Sequence, residues 1–130
     1  MAPVLHEVKK NQLMALSLME KAAKRDKPDI LVLPETWNTG FYAAPEILQE
    51  ADKDGKETCS LMSAFAAAHH MAVVAGSAAV LSEGKLYNRT YVFDEKGRMV
   101  HQYDKMHGFT PMGEHEYFTG GTGISPFSLC

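Results

Sequence analysis

Two charged residues stand directly after apolar runs, where a protein can hold a side chain rigidly. Glu35 follows Ile30-Leu31-Val32-Leu33-Pro34, and Lys105 closes the run that passes through Tyr103-Asp104. A carboxylate at the end of a buried strand stands against a low-dielectric wall, which raises its pKa toward a value useful for proton transfer. The position suits a solvent-facing turn residue equally, and position alone favours that plainer reading, because most strand-end glutamates have no chemical role. An ammonium fixed beside a carbonyl or nitrile can stabilise the negative charge that develops there under attack. A lone lysine after a strand is more often a surface charge. His107, two residues on, is read as a group that holds its loop by hydrogen bonds, with acid–base work as the alternative. Glu114, in Gly113-Glu114-His115-Glu116, carries the same ambiguity as Glu35.

The elements between these residues must position them. Over residues 8–23, Leu13, Leu16, Met19 (or Glu20) and Ala23 recur at helical spacing, so these residues are expected to form the buried stripe of an amphipathic helix. Lys24, Arg25 and Lys27 suit its negative end, and Pro28 terminates it. Residues 30–33 are a short continuous apolar run, the pattern of a strand covered on both faces. Residues 35–55 read as a long loop with a short helix at 45–50. Thr58 is the expected cap of a second long helix carrying Leu61, Met62, Phe65 and Ala68 and ending near His69-His70. Residues 72–80 form a second buried-strand candidate. Residues 86–93 and 98–103 flank Asp94-Glu95-Lys96-Gly97, which reads as a hairpin with glycine where φ must be positive. Beyond Lys105 periodicity is lost and glycines accumulate, the mark of a long functional loop. The order helix, strand, helix, strand, hairpin predicts an α/β layered architecture.

Bulk properties bound the function. The chain has 130 residues, 45% hydrophobic and 22% charged, with a formal charge of −3, which suits one modest domain of an ordinary globular protein. Acids and bases are interspersed, so there is no basic patch for nucleic acid. Neither a secretory apolar core nor a membrane span is legible. Two cysteines, Cys59 and Cys130, are expected as free thiols in a reducing cytoplasm. The opening helix starts with no strand before it, and residues 124–130 resemble the start of another strand. The expectation is therefore a single partial domain over residues 1–130, incomplete at both ends and exposing unpaired sheet edges.

Taken jointly, the motifs resemble the nitrilase superfamily of carbon–nitrogen hydrolases. The likeness starts in Asp29-Ile30-Leu31-Val32-Leu33-Pro34-Glu35 with Thr39-Gly40-Phe41. It continues through Tyr87-Asn88-Arg89-Thr90-Tyr91-Val92-Phe93-Asp94-Glu95-Lys96-Gly97. It ends in Tyr103-Asp104-Lys105-Met106-His107-Gly108-Phe109, Gly113-Glu114 and Phe118-Thr119-Gly120-Gly121. Each word is weak alone, and four in register are strong. The resemblance implies part of an α-β-β-α sandwich and an amidase-type hydrolase acting on a small amide or nitrile. It implies that Glu35 is the general base, that Lys105 steadies the tetrahedral intermediate and that Glu114 is the accessory glutamate. A cysteine nucleophile completes the chemistry, with neither metal nor cofactor, and assembly into homo-oligomers is expected of the full-length protein.

Two departures stand out. Gly108 replaces the bulky apolar residue usual after the histidine. The family's nucleophilic cysteine lies at the end of a later strand, so Cys130 falls too early, and Cys59 reads more simply as a small core residue. Met1-Ala-Pro-Val resembles the stretch just after the family's first strand. The chain is therefore expected to stop short of the nucleophile and to be inactive alone. The alternative is a non-catalytic fragment or pseudoenzyme with a binding role or none. Two other readings fare worse. A zinc site is argued against by His69-His70, which point to different faces of a helix, and by the absence of paired ligand motifs. A phosphate-binding loop at Gly120-Gly121-Thr122-Gly123 lacks the glycine spacing and the Lys-Ser/Thr word.

Overall fold

In the computed structural model, residues 1–129 are described. Helix α1 (Val8–Arg25) leads into β1 (Ile30–Val32), followed by a short α2 (Ile47–Glu50), β2 (Asp52–Lys53), α3 (Lys56–His69), β3 (Ala72–Val74), β4 (Ala78–Ser82), β5 (Lys85–Phe93) and β6 (Met99–Asp104). A 3-10 turn at Thr110–Met112 and a one-turn helix α4 (Glu114–Tyr117) follow. All six strands form one mixed sheet in the order β1-β3-β5-β4-β2, with β6 on the free edge of β5. β1 runs parallel to β3 and β2 parallel to β4, whereas β5 is antiparallel to β3, β4 and β6. The predicted hairpin is β5–β6, and Gly97 occupies its turn at φ 75°.

One face of the sheet carries the main core. Ala15, Met19 and Ala23 of α1 and Met62, Phe65 and Ala66 of α3 pack against Val73, Ala78, Val80, Tyr91 and Phe93. The stripe on α1 differs from the expected one. Its buried residues are Asn11, Ala15, Met19 and Ala23, while Leu13 is 70% exposed. Asn11 holds a core-facing position because its amide is satisfied there: Oδ1 accepts the Val4 N–H at 2.8 Å and Nδ2 donates to the carbonyls of Val4 and Asn38. A buried polar group is tolerable when fully bonded, and apolar periodicity could not register it. The cap of α3 is also different. Thr58 is inside the helix, and Asp52 takes the capping role by accepting the N–H groups of Glu57 and Thr58, a carboxylate at the positive helix end. Asp52 lies in β2, inside the segment expected to be loop.

The opposite face is covered at one end only. There Ile47 and Ala51 pack on Ala79 and Leu86, joined by Tyr42, Tyr117 and Phe118. At the other end the face is open, so β1 is covered on one side rather than two: Val32 is 65% exposed. Leu31 and Leu33 pack into the helix-side core. An apolar run identified β1 correctly but could not reveal which of its faces a neighbour covers. Among the described residues no helix is long and apolar enough to cross a membrane.

The expected single strand over residues 72–80 is two strands, separated at Ala75-Gly76-Ser77. Gly76 turns at φ 50° and donates back to Val74 O at 2.7 Å. The chain leaving β1 fills the interruption. Ser77 N–H bonds Pro34 O at 3.3 Å, Trp37 N–H bonds Ser77 O at 3.1 Å, and Thr36 N–H bonds Ser77 Oγ at 3.0 Å. A Cβ at position 76 would lie 2.0 Å from Pro34 O, so only glycine lets the two backbones approach. Gly84 supplies a comparison, with φ 74° and no atom within 4 Å of the place a methyl group would take. In denaturant unfolding, Gly84→Ala is expected to cost about 1 kcal/mol and Gly76→Ala at least about 2 kcal/mol more, from backbone overlap. Equal losses would show that the close approach at Gly76 carries no stability.

Candidate active site

The break at Gly76 decides where Glu35 goes. Because Pro34 and Thr36 are tied to Ser77, the intervening glutamate is set over the open face of the sheet. Its neighbours there are the inward-pointing residues of β5 and β6. In the antiparallel register Ala79 pairs with Asn88 and Thr90 with Tyr103. The alternation of strand side chains puts Asn88 and Thr90 on this face, with Tyr91 and Phe93 on the helix side. Thr90 Oγ1 donates to Gly76 O at 2.7 Å, closing the break.

Lys105 comes directly after β6, and its N–H still bonds Asn88 O at 2.9 Å, so the ladder fixes its backbone before its side chain begins. Its Nζ donates to Glu35 Oε1 at 2.8 Å and to Glu114 Oε2 at 2.8 Å. Asn88 Nδ2 donates to the same two carboxylates, to Glu35 Oε1 at 2.9 Å and to Glu114 Oε1 at 2.8 Å. Phe109 N–H adds a third donor to Glu114, at 2.6 Å from Oε2. Residues 35, 88, 105 and 114, brought from four elements, thus form one closed ring of hydrogen bonds. The Phe41 ring lies 5.5 Å from the ammonium, within cation–π range.

The two carboxylates sit in different surroundings. Glu114 is 1% exposed, where an unpaired charge would cost several kcal/mol. Burial by itself pushes its pKa up, but the bonds from Asn88, Lys105 and the Phe109 N–H outweigh this and hold it below the usual carboxylate range. Burial likewise pushes Lys105 down, and Glu114 and Glu35 more than reverse it, so the ammonium is held above its ordinary value. The Glu35 side chain is 48% exposed, so the low-dielectric wall expected around it is only partly built by these residues. It borders a cavity of about 360 Å³ with Val32, Val74, Thr90, Tyr103 and Lys105. Larger hollows lie elsewhere, at the base of β1 and between the helix ends; charged residues line these too, with Lys9 and Glu57 paired as an exposed ion pair in the second.

The structure therefore brings together Glu35, Lys105 and Glu114 and leaves His107 exposed, outside the ring. Cys59 packs beside the helix-side core, across the sheet from the ring. Burial pushes its thiol up, Asp52 adds to this and Arg89 opposes it, as suits an inert core thiol. Cys130 lies outside the described residues. His69 bonds Glu20 at 2.8 Å and stacks on Phe65, a satisfied histidine. The backbone of the Gly120-Gly123 segment lies along Lys105, with Gly121 N–H on Lys105 O at 3.0 Å. Sequence reasoning does not single out Asn88, although it stands inside one of the family words. The available signal is an amide flanked by Leu86, Thr90 and Val92 on one face of the strand.

The model of the carbon-nitrogen hydrolase family matches residues 1–129. The chain belongs to that family. Among curated carbon-nitrogen hydrolases and their relatives, it is 38% identical over 111 residues to the 2-oxoglutaramate amidase of Bacillus subtilis, covering 85% of this chain and 42% of that protein. It is 34% identical over 96 residues to the omega-amidase YafV of Escherichia coli, covering 72% and 34%. Among solved structures, the CN-hydrolase superfamily protein XC1258 of Xanthomonas campestris, described with an arsenic adduct in its active site, superimposes with a TM-score of 0.81 at 26% identity, over 94% of this chain and 44% of that one. Nit3 of Saccharomyces cerevisiae, a nitrilase superfamily member, shares the fold with a TM-score of 0.84 at 21% identity, over 98% and 48%. The chain spans less than half the length of each of these carbon-nitrogen hydrolase relatives.

The lowered pKa of Glu114 has a consequence for stability. A carboxylate with a lowered folded-state pKa stabilises the fold above its unfolded value, near about 4.3, and loses that contribution as pH falls through the folded value. Glu114→Gln removes the titrating group. The stability difference between the parent chain and this variant is expected to be largest near neutral pH and to shrink steadily below about pH 4. A difference that stayed constant between pH 7 and pH 3 would mean that Glu114 is not held ionised by its neighbours.

Proposed function

We propose that the protein carrying this chain is an amidase that hydrolyses a small linear amide through a Glu–Lys–Cys mechanism, with Glu35 as general base, Lys105 as the oxyanion donor and Glu114 as the accessory glutamate. The observation that carries this is the bridging ammonium: Lys105 Nζ makes two hydrogen bonds among the described residues, which leaves its third N–H for a substrate oxygen. Glu35 Oε1 accepts from both Asn88 and Lys105, and Oε2 has no donor among the described residues. That second oxygen is the basic one. Relatives named as a 2-oxoglutaramate amidase and an omega-amidase favour a short ω-amide as the substrate class.

Glu35 removes the proton of a cysteine thiol, and the thiolate attacks the amide carbon while the carbonyl electron pair moves to oxygen, facing Lys105. The oxyanion collapses, the C–N bond breaks, and the leaving nitrogen takes the proton from Glu35 as ammonia. Glu35 then removes a proton from water, whose oxygen attacks the thioester; the C–S bond breaks and the proton returns to the thiolate. The arsenic adduct described for the X. campestris relative suits a soft thiolate in such a site. We place the nucleophile beyond Cys59 and Cys130, in sequence corresponding to the longer relatives. The reading carries with it a free thiol in a reducing compartment and assembly between copies of the full-length protein. A non-catalytic binding role is the alternative outcome of the test.

The test is hydrolysis of short ω-amides by the gene product that carries this sequence. Glu35→Gln and Lys105→Ala are each expected to lower kcat/KM by about 100-fold to 10,000-fold with the fold retained. Near-parent turnover in either variant would remove that residue from the mechanism. The 130-residue chain alone is expected to give no turnover; activity abolished by Cys130→Ser would place the nucleophile there instead.

A further inference from the structure

We propose that Asn88 is a positioning residue for this reaction, its carboxamide clamping Glu35 and Glu114 so that Lys105 bridges them with one N–H directed to the cavity. The proposal rests on the reading of Glu35 as base and Lys105 as oxyanion donor, and it adds a residue that acts through hydrogen bonds to Glu35 and Glu114 at the wall of the same cavity.

The geometry assigns the role through the use of its donors. A carboxamide nitrogen carries two hydrogens, and both are used on catalytic carboxylates, at 2.9 Å and 2.8 Å. The inverted rotamer is untenable, since it would set Oδ1 against two carboxylate oxygens. In the observed orientation Oδ1 is buried without a partner among the described residues, so the two carboxylates dictate which way the amide faces. The main chain of Asn88 acts on the third member of the set, because its carbonyl accepts the Lys105 N–H at 2.9 Å. Asn88 itself is 3% exposed and is held in the ladder opposite Ala79. One rigid residue therefore sets the separation of all three groups.

The alternative arrangement shows what the clamp prevents. Without Asn88, Lys105 would be the only side chain joining the two carboxylates. Glu35 is half-exposed and free to swing toward solvent, whereas Glu114 is fixed by Phe109. The ammonium would then follow Glu114 and leave the base. The charged and titratable groups facing the clamp are Glu35 from the turn after β1, Lys105 from the end of β6, Glu114 from α4 and Tyr103 from β6. Arg89 and Asp104 belong to the other face and pair with each other at 2.6 Å.

The test uses the full gene product. Asn88→Ala is expected to lower kcat by about 100-fold or more with KM within about threefold, and to move the acid limb of the kcat/KM profile to higher pH, because carboxylates stripped of a donor protonate more readily. Asn88→Asp, which keeps the shape and loses the donors, should move that limb further. A loss of activity without movement of the limb in either variant would reduce Asn88 to a structural residue. Should both variants unfold, the unmodified protein decides the matter by NMR. The Asn88 side-chain amide protons should exchange slowly and titrate with the midpoint of the acid limb, and rapid exchange or a pH-independent shift would overturn the proposal. Activity retained in Glu35→Gln or Lys105→Ala would instead sink the mechanism on which it rests. If those variants are dead while Asn88→Ala keeps its kcat and acid limb, only the clamp fails.

Discussion

Lys105 places one positive charge 2.8 Å from each of two carboxylates, and much of the surrounding architecture serves that placement. Two negative charges brought to one corner of a protein repel, and a buried carboxylate has lost its water. The ammonium offsets both effects, and the Asn88 amide and the Phe109 N–H complete the compensation without adding charge. Glu114 is consequently held ionised deep in the fold, while Glu35 Oε2 has no donor among the described residues. Two residues of the same type thus meet different surroundings, one buried and fully bonded, the other half-exposed at the cavity.

The placement depends in turn on an irregularity in the sheet. Had residues 72–82 formed one uninterrupted strand, β1 would have continued alongside it and Glu35 would have been one more alternating side chain. The turn at Gly76 lets Pro34 and Ser77 bond across the gap, and Asn38 reinforces the result by pairing with both the N–H and the C=O of Ala79. The segment over residues 36–40 is buried almost throughout, which is unusual for a connection. Much of its backbone is bonded, Asn38 to Asn11 of α1 and Ala79 of β4, Thr36 and Trp37 N–H to Ser77, and Gly40 N–H to Thr36 O, while Thr36 Oγ1 and Trp37 Nε1 have no partner among the described residues.

This explains what the sequence could and could not disclose. Helices α1, α2 and α3, β1, the hairpin and the layered α/β class were legible, because each rests on local periodicity or on a turn with its own chemistry, whereas the single turn of α4 lies in the stretch read as a long loop. The meeting of Glu35, Lys105 and Glu114 was legible only jointly, through words in register, since each taken alone reads in the sequence as an ordinary surface residue. Asn11, Asp52 and the break at Gly76 were not legible. Asn11 is buried by virtue of partners seven and 27 positions away, and Asp52 caps a helix from a neighbouring strand. The break exists because a distant carbonyl needs the space. Asn88 shares this character: its importance lies in two contacts, 53 and 26 residues away along the chain, which no local pattern encodes.

The strict alternation of β5 has a wider consequence. Tyr91 and Phe93 enter the helix-side core, while Asn88 and Thr90 serve the opposite face. A slip of one residue in the pairing of this strand would exchange the two sets, thrusting Asn88 and Thr90 under the helices and turning Phe93 outward. The hydrophobic penalty for that error is large, and so the same burial that stabilises the fold proofreads the polar ring on its other side. A chain that has packed this core has also brought Glu35, Asn88, Lys105 and Glu114 together.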